Sequence, residues 1–526
     1  MPGVVLAVTD HDPAGQSRTT QVMPGAEDDL AQPPAFGAGA IRRVFEWAQS
    51  RALRPSSVSG ISVALSLCAA VWFTAGSRTG NFWAALALAG SYVAMLGART
   101  LATGPGRSWR ARGVASVEPA HRALAGWLAA LGWSVSESAV LAGMAIGAIT
   151  DRWSGMWILA IAVLSMVAIR DLMTACAWPA GHDGTDQSLL RRAVAEALRM
   201  PPGGRVLLIA AAAPIWGTRA VLLALLDWTI IAVGFGLASM QGPRRERPAV
   251  AAAGSAPQAA QLGLAVLLPA ADGAAGLPLD PAAVDALEVP GDDAEPEPEP
   301  APPDQPFPAG ASRQPGPQAQ LAAWQDRLVM LRDDGMLARN LGALVRGNLL
   351  PLPPAILGLA ATGVLAYLGL RSVPGILILS PCLIMLLAAP GSGNRHAGRL
   401  DWLVPAVLLG WQCLYLTIAG QAQGVPAPAT FALCAALAVR YADLGSPGRP
   451  VMMARPMRRN WIMDLTEGDR ERGTALGWEG RMLLMGAAAA AGIGTLAYVA
   501  LTAYLGVLIC AKFLTSCLGL REGDSR

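Results

Sequence analysis

The stretch SGISVALSLCAAVWFTAG, Ser59 to Gly76, runs without a single charged residue. At about 1.5 Å of rise per residue, a helix of that length matches the ~30 Å hydrocarbon core of a bilayer. The same reading repeats outward along the chain. Apolar segments follow at Asn81 to Ala98, Ala123 to Thr150, Met156 to Trp178, Arg205 to Trp216 and Ala220 to Met240. These predict six helices in the first half, of which the fifth is short. It joins the sixth through Pro214 and Gly217, a joint that permits a tight hairpin.

Composition agrees with this reading. Of 526 residues 53% are hydrophobic and only 15% charged, which excludes an ordinary soluble fold and places the chain among multi-pass membrane proteins. The cations are almost all arginine, with Lys512 the one lysine, and a net charge of +3 is too small for a nucleic-acid binder. The seven cysteines, Cys68, Cys176, Cys382, Cys413, Cys434, Cys510 and Cys517, lie in apolar segments without a CxxC pair, and read as small core residues. The first forty residues lack the basic and apolar regions of a secretory signal. Residues 1–53 are therefore expected to form a cytosolic, poorly ordered tail, with insertion depending on the first span.

After Met240 the composition turns to Pro, Ala, Gly and acid, including GDDAEPEPEPAPPDQP from Gly291 to Pro306. Such a segment buries too little apolar surface to fold, so 241–320 reads as a disordered linker between membrane domains at 54–240 and 321–520. An amphipathic stretch, Leu321 to Val345, opens the second domain. Spans follow near Leu349 to Leu370, Val373 to Ala389, Trp402 to Gly420 and Pro426 to Ala442. The last apolar block, Met482 to Leu520, is one kinked helix or two. The expectation is an all-α polytopic membrane protein of about eleven to twelve transmembrane helices in two helical bundles.

Arginine placement gives the orientation, since basic residues collect in the loops on the cytosolic side. Arg42, Arg43, Arg51 and Arg54 precede the first span; Arg107, Arg110 and Arg112 follow the second; Arg191, Arg192 and Arg199 follow the fourth. Arg244, Arg245 and Arg247 follow the sixth, and Arg395, Arg399, Arg449, Arg455, Arg458 and Arg459 continue the pattern. The N-terminus and the 241–348 segment are expected in the cytosol, with the chain in the cell membrane.

RPSSVSGISVALSLCAAVWFTAG, Arg54 to Gly76, resembles the opening helix of the CDP-alcohol phosphotransferase family, membrane enzymes that move a phospho-alcohol group from a CDP-linked donor to an acceptor alcohol. Six helices after a cytosolic N-terminus suit that family too. Its signature is D-x-x-D-G-x-x-A-R, eight residues, then G-x-x-x-D-x-x-x-D. Aspartates at i, i+3 on one helix and i, i+4 on the next supply an oxygen-rich divalent-metal site for the donor pyrophosphate. The resemblance implies that the last aspartate takes the proton of the attacking hydroxyl.

Between Leu30 and Thr150, however, the chain has no aspartate. Laid on SYVAMLGARTLA, Ser91 to Ala102, and GWLAALGWSVSESAVLAGMAIGA, Gly126 to Ala148, the four aspartate positions fall on Met95, Ala98, Ala129 and Trp133. Arg99, Thr103 and Ala125 stand where the pattern has glycine, arginine and glycine, while Ala102 is kept. Twenty-one residues, Gly104 to Leu124, replace the spacer of eight. With apolar side chains at all four places a divalent cation would be buried without compensation, which costs several kcal/mol or more. The metal cavity is expected to be filled by packing and the family's chemistry lost, with no metal and no cofactor.

Glu137 is the one acid on these two helices. It is either a functional intramembrane carboxylate or a group near a helix end hydrogen-bonded to Ser134, Ser136 or Ser138. Arg99, Arg107, Arg110 and Arg112, with Arg122, either attract lipid or nucleotide phosphates or serve topology alone. Asp227, in the sixth span, is expected to pair within the bundle or to line a polar cavity. Asp151, Asp171, Asp227, Asp401 and Asp443 are too scattered in sequence to form the pairs such a site needs on adjacent helices.

A second resemblance rests on MPPGGR at Met200, RDDGMLAR at Arg332, LDWLVP at Leu400 and GWEGRMLL at Gly477. These are similar to an actinobacterial membrane domain of unknown function that follows CDP-alcohol phosphotransferase-like domains, and imply no reaction for the second half. GSGNRHAG, Gly391 to Gly398, lacks the strand and helix of a phosphate loop and reads as a turn between spans. His11, His121, His182 and His396 have no spacing for zinc or a triad. Pro351, Pro353, Pro354, Pro374 and Pro381 are expected to break or kink the later spans.

Three functional readings follow. One is a degenerate phosphotransferase relative, lipid-binding or ancillary in phospholipid and envelope lipid synthesis, with membrane lipids and an active relative or a second copy as partners and no nucleic acid. Another is a transporter or flippase working through the second half. The third is an active transferase with an unrecognised site.

Overall fold

The computed structural model describes residues 8–11, 17–20, 55–103, 119–149, 155–176, 202–240, 324–325, 327–344, 352–369, 374–393, 400–446 and 476–523. Two short strands, β1 (Val8–His11) and β2 (Ser17–Thr20), pair antiparallel with Val8 opposite Thr20. All other regular structure among the described residues is helical. The helices are α1 (Pro55–Thr74), α2 (Arg78–Thr103), α3 (Pro119–Ile149), α4 (Met156–Cys176) and α5 (Pro202–Met240). After the linker come α6 (Met336–Leu344), α7 (Leu352–Gly369), α8 (Pro374–Ala388), α9 (Val404–Ala422), α10 (Ala427–Gly445), α11 (Gly477–Ala490) and α12 (Gly494–Gly523). Eight of these are long and apolar enough to cross a membrane, and Leu352–Val364 and Ser380–Gly391 are shorter apolar helices. The protein is an all-α polytopic membrane protein.

Length alone requires a break in α5. Its apolar run Pro202–Leu237 covers 36 residues, about 54 Å if straight, far beyond the ~30 Å core. Gly217 supplies the break with φ 81 and ψ 166, a backbone region that is essentially glycine's own. The chain reverses there. Arg205 in the first arm reaches Asp171 of α4, and a Cβ built at Gly236 in the second arm would lie 3.7 Å from Met173 of the same helix. On a straight helix residues 205 and 236 would stand about 46 Å apart. The hairpin expected from Pro214 and Gly217 is present, and its first arm runs antiparallel to α2, with Asn81 donating to the Ala213 carbonyl at 3.3 Å.

The last apolar block resolves into two helices, α11 and α12, separated by a turn with Gly492 at φ 69. The prolines of the second half mostly start helices instead of breaking them. Pro353 and Pro354 sit in the first turn of α7 and Pro374 opens α8, where a missing N–H costs nothing. Only Pro381 lies inside a helix there, and Pro351 falls outside the described residues.

In the first block, α1 packs along both α2 and α3, which touch each other over a shorter stretch. Two devices hold α1 in place. Ser62, Ser66 and Ser91 form a buried ladder: Ser62 Oγ donates to the Ser91 carbonyl and Ser91 Oγ to the Ser62 carbonyl, both at 2.8 Å. On the other side Gly143 and Gly147 of α3 ride directly on the α1 backbone. A Cβ at either would come within 2.2 Å and 2.1 Å of the Ala70 and Phe73 carbonyl oxygens. This is the small-residue contact by which membrane helices approach closely.

The chain divides into two units, Met1–Leu237 with Gln314–Arg526 and, apart from it, Ala238–Arg313. Within the first unit both blocks of spans meet. Helix α4 packs against α9 and α10, with Trp157 edge-on to Phe431 at 5.4 Å, and α3 packs against α10. A core of Trp411, Tyr415, Leu416, Leu437, Trp478, Met482, Tyr498 and Leu501 fills the second block.

Candidate functional site

Met95, Ala98, Ala129 and Trp133, laid on the signature's aspartate positions above, all lie on described helices. Met95 and Ala98 on α2 are buried, and Ala129 and Trp133 on α3 are half-buried. The Arg99 and Arg122 side chains and residues Arg107, Arg110, Arg112, Arg455, Arg458, Arg459 and Asp151 lie outside the described residues.

Glu137 does not bond its neighbouring serines, nor does it lie near a helix end. It sits well inside α3, and its partner is Arg205 of α5, whose Nε stands 2.8 Å from Oε1 and whose Nη2 donates to Oε2 at 3.2 Å. Ser138 Oγ turns instead to the Ser134 carbonyl. The same guanidinium forks onto Asp171 of α4, Nη1 to Oδ1 and Nη2 to Oδ2, each at 2.9 Å. Asp171 also accepts from Arg170 at 2.8 Å. Arg205 is 1% exposed, and with Arg170 it sets two cations against the two carboxylates of Glu137 and Asp171. That satisfies the rule that intramembrane charges are paired.

Arg205 ends the MPPGGR stretch, and the local sequence explains its place. Pro202 opens α5, and Gly203 lets that first turn lie against Tyr92, whose hydroxyl a Cβ would meet at 2.1 Å. Arg205 then faces α3 and α4. Sequence reading quoted this motif without assigning the arginine a role, because its partners stand 34 and 68 residues away.

Beside the cluster a crevice is lined by Ser66, Leu88, Trp133, Ser136, Glu137, Val140, Arg205, Val206 and Ile209, with a cavity volume of about 10 Å³. That is room for about one water molecule, not for a lipid headgroup or nucleotide. A metal does not fit the donor set, because the guanidinium already lies between the two carboxylates. Among the described residues no group of three or more His, Cys, Asp or Glu is placed to hold a metal ion.

A second, larger polar cluster joins motifs from the second half. The RDDG turn, with Asp333 at φ 51, meets the start of α11. Trp478 N donates to the Asp333 carbonyl at 3.1 Å and Trp478 Nε1 to Asp334 Oδ1 at 2.7 Å. Glu479 accepts from the backbone N–H of Gly335 and of Ala338, at 3.0 and 3.2 Å, and so caps α6 from outside. Gly477 is required at this crossing, since a Cβ there would lie 2.3 Å from Gly335 N.

Arginines complete it. Arg481 donates to Asp333 at 2.8 Å and to Gln412 at 3.0 Å, Arg440 lies 3.3 Å from Asp333, and Arg332 Nε stands 2.8 Å from Asp334. Asp443 then receives Lys512 at 2.7 Å, Trp127 Nε1 of α3 at 2.7 Å and Arg440 at 3.4 Å. Lys512 also stands over the Trp127 ring, 5.5 Å from its centroid. Burial alone would push the Asp333 carboxyl up, but Arg481 and Arg440 hold it below the usual carboxylate range. Burial raises Glu479, against the pull of the backbone N–H groups it accepts from. Four cations and four anions, all buried, leave the set electrically balanced.

Of the other aspartates, Asp401 is buried at the start of a short 3₁₀ turn (Asp401–Leu403). Asp227 departs from expectation. Among the described residues no hydrogen bond or ion pair holds it, and it is exposed on the second arm of α5.

No family model matches this chain, and neither does any curated protein or solved structure.

Proposed function

We propose that this integral membrane protein is a catalytically degenerate relative of the CDP-alcohol phosphotransferases, serving envelope lipid synthesis as a lipid-binding or ancillary subunit. The observation that carries the reading is the fate of the carboxylates. Met95, Ala98, Ala129 and Trp133 stand at the positions that the signature gives to aspartate, and Glu137, the acid that remains nearby, is held by Arg205. Transfer from a CDP-linked donor needs a divalent cation on the pyrophosphate and a base at the acceptor hydroxyl. A carboxylate already bonded to a guanidinium is a poor base, and the adjoining crevice has room for about one water molecule.

The test is direct. The purified protein, given CDP-linked lipid donors, an acceptor alcohol and magnesium, should release CMP no faster than a protein-free control. Turnover that depends on magnesium and on the protein would overturn the reading.

A further inference from the structure

Beyond the proposed function, and independent of it, we infer that Cys413 and Cys434 are an oxidisable pair, which a peroxide joins into a disulfide that clamps α9 to α10 inside the membrane.

The α9–α10 hairpin brings the two thiols together. Cys413 stands eleven residues before Gly424 in the connecting turn and Cys434 ten after it. Both therefore lie about 15 Å from the turn along their helices, at one depth near the middle of the ~30 Å core. Two contacts fix that register. Nearer the turn, a Cβ built at Gly420 would meet Thr430 Oγ1 at 2.7 Å; farther from it, Gln412 Nε2 donates to the Tyr441 hydroxyl at 2.9 Å. Between these contacts the side chains of Cys413 and Cys434 are hydrogen-bonded to each other. Both are buried, at 3% and 1% exposed.

Burial in an apolar core makes most thiols inert, because the negative charge needed for attack is costly there. Cys413 differs from such a thiol. Cys434 and Ser165 of α4 both hydrogen-bond its sulfur. Two donors aimed at one atom stabilise the charge that develops on it as it attacks. That makes Cys413 the attacking sulfur and Cys434 the resolving one.

The reaction balances with a peroxide as oxidant. Cys413 Sγ attacks one peroxide oxygen, the O–O bond breaks, and a sulfenic acid forms as water or an alcohol is released. Cys434 Sγ then attacks the Cys413 sulfur, its S–O bond breaks, and the second oxygen leaves as water. Two electrons and two protons pass from the thiols to the peroxide, and one S–S bond replaces two S–H bonds. Dithiol and disulfide are both neutral, so neither end state buries a charge. The oxidant has to be small and uncharged to reach this depth, as hydrogen peroxide is. The tie acts on the polar cluster of the second half. Gln412, next to Cys413, accepts from Arg481, and α10 supplies Arg440 and Asp443, so a covalent link across the hairpin holds these groups at one spacing.

Full-length protein in liposomes, treated with hydrogen peroxide, quenched, unfolded with N-ethylmaleimide and cut with trypsin, reports the state of the pair. The peptide 400–440 contains these two cysteines, no others, and no internal lysine or arginine. It should lose two hydrogens and both maleimide labels, and regain the labels after dithiothreitol. In Cys434→Ser, dimedone added with the denaturant should capture Cys413 as a sulfenic acid, while in Cys413→Ser it should capture nothing at Cys434. Oxidation should raise the thermal unfolding temperature of the wild type and leave that of Cys434→Ser unchanged. Cys382 and Cys510 are exposed and register that the peroxide has reached the membrane. A pair that stays fully labelled at a dose oxidising those two, or a link that forms only after unfolding, would overturn the inference.

Discussion

Arg205 concentrates the residue-scale argument. Its side chain is enclosed by α3, α4 and α5, and two carboxylates depend on it. Arg205→Met leaves Glu137 partly buried without a cation, and Asp171 with Arg170 alone. Removing one partner of a buried pair costs about 3–5 kcal/mol, so thermal unfolding in detergent should shift sharply downward. Arg205→Lys should recover only part of the loss, because an ammonium cannot fork onto two carboxylates at once. Asp333 makes a pH-dependent prediction at the same scale. Its carboxyl is held below the ordinary range by Arg481 and Arg440. It therefore contributes stability above its unfolded pKa of about 3.9, and that contribution is lost as pH falls through the lower folded value. Denaturation midpoints measured between pH 7 and pH 3 should fall in the wild type below about pH 4. In Asp333→Asn the profile should be flatter from a less stable starting point. At this scale the sequence showed which groups are costly, Glu137 among them, but not their partners.

At the scale of the element, α1 and α3 pack through glycine. Gly143 and Gly147 leave no space for a Cβ against the Ala70 and Phe73 carbonyls. Gly147→Val should separate the helices, lower expression and remove a folded monodisperse peak on size exclusion, while the open Gly126→Ala should be silent. Gly217 carries a different constraint. With φ 81 and ψ 166, Gly217→Ala is strained by about 1–3 kcal/mol, which should appear as a lowered unfolding temperature. The elements themselves were legible from apolar length, and so was the hairpin at Pro214 and Gly217. The expected effect of the prolines was not, because a proline at a helix start and one inside a helix look alike in sequence until the helix boundary is known.

At the scale of the whole molecule, the two blocks of spans are fastened by Asp443, which joins Trp127 and Lys512 across 316 and 69 residues. Trp324 Nε1 adds a bond to the Cys176 carbonyl. Halves expressed separately, with the break inside 241–313, should co-purify as one complex. Asp443→Leu should release them by stranding Lys512, which a pull-down of one tagged half would register. Halves that never co-purify would contradict the packing described between α3, α4, α9 and α10.

The amino-acid sequence by itself determined the solvent and the elements. Runs of apolar residues long enough for a bilayer are a local property, and lipid sorts them wherever the rest of the chain lies. It also set apolar side chains at Met95, Ala98, Ala129 and Trp133, on which the proposed reading rests. Only the tertiary structure decided that Arg205 claims Glu137 and Asp171, that RDDG meets GWEGR, that the blocks share one core and that Asp227 is left outside it. Each of these depends on which helix faces are brought together. Charge pairing falls off within a few ångströms, so residues distant in sequence reveal no partnership until packing has chosen their neighbours.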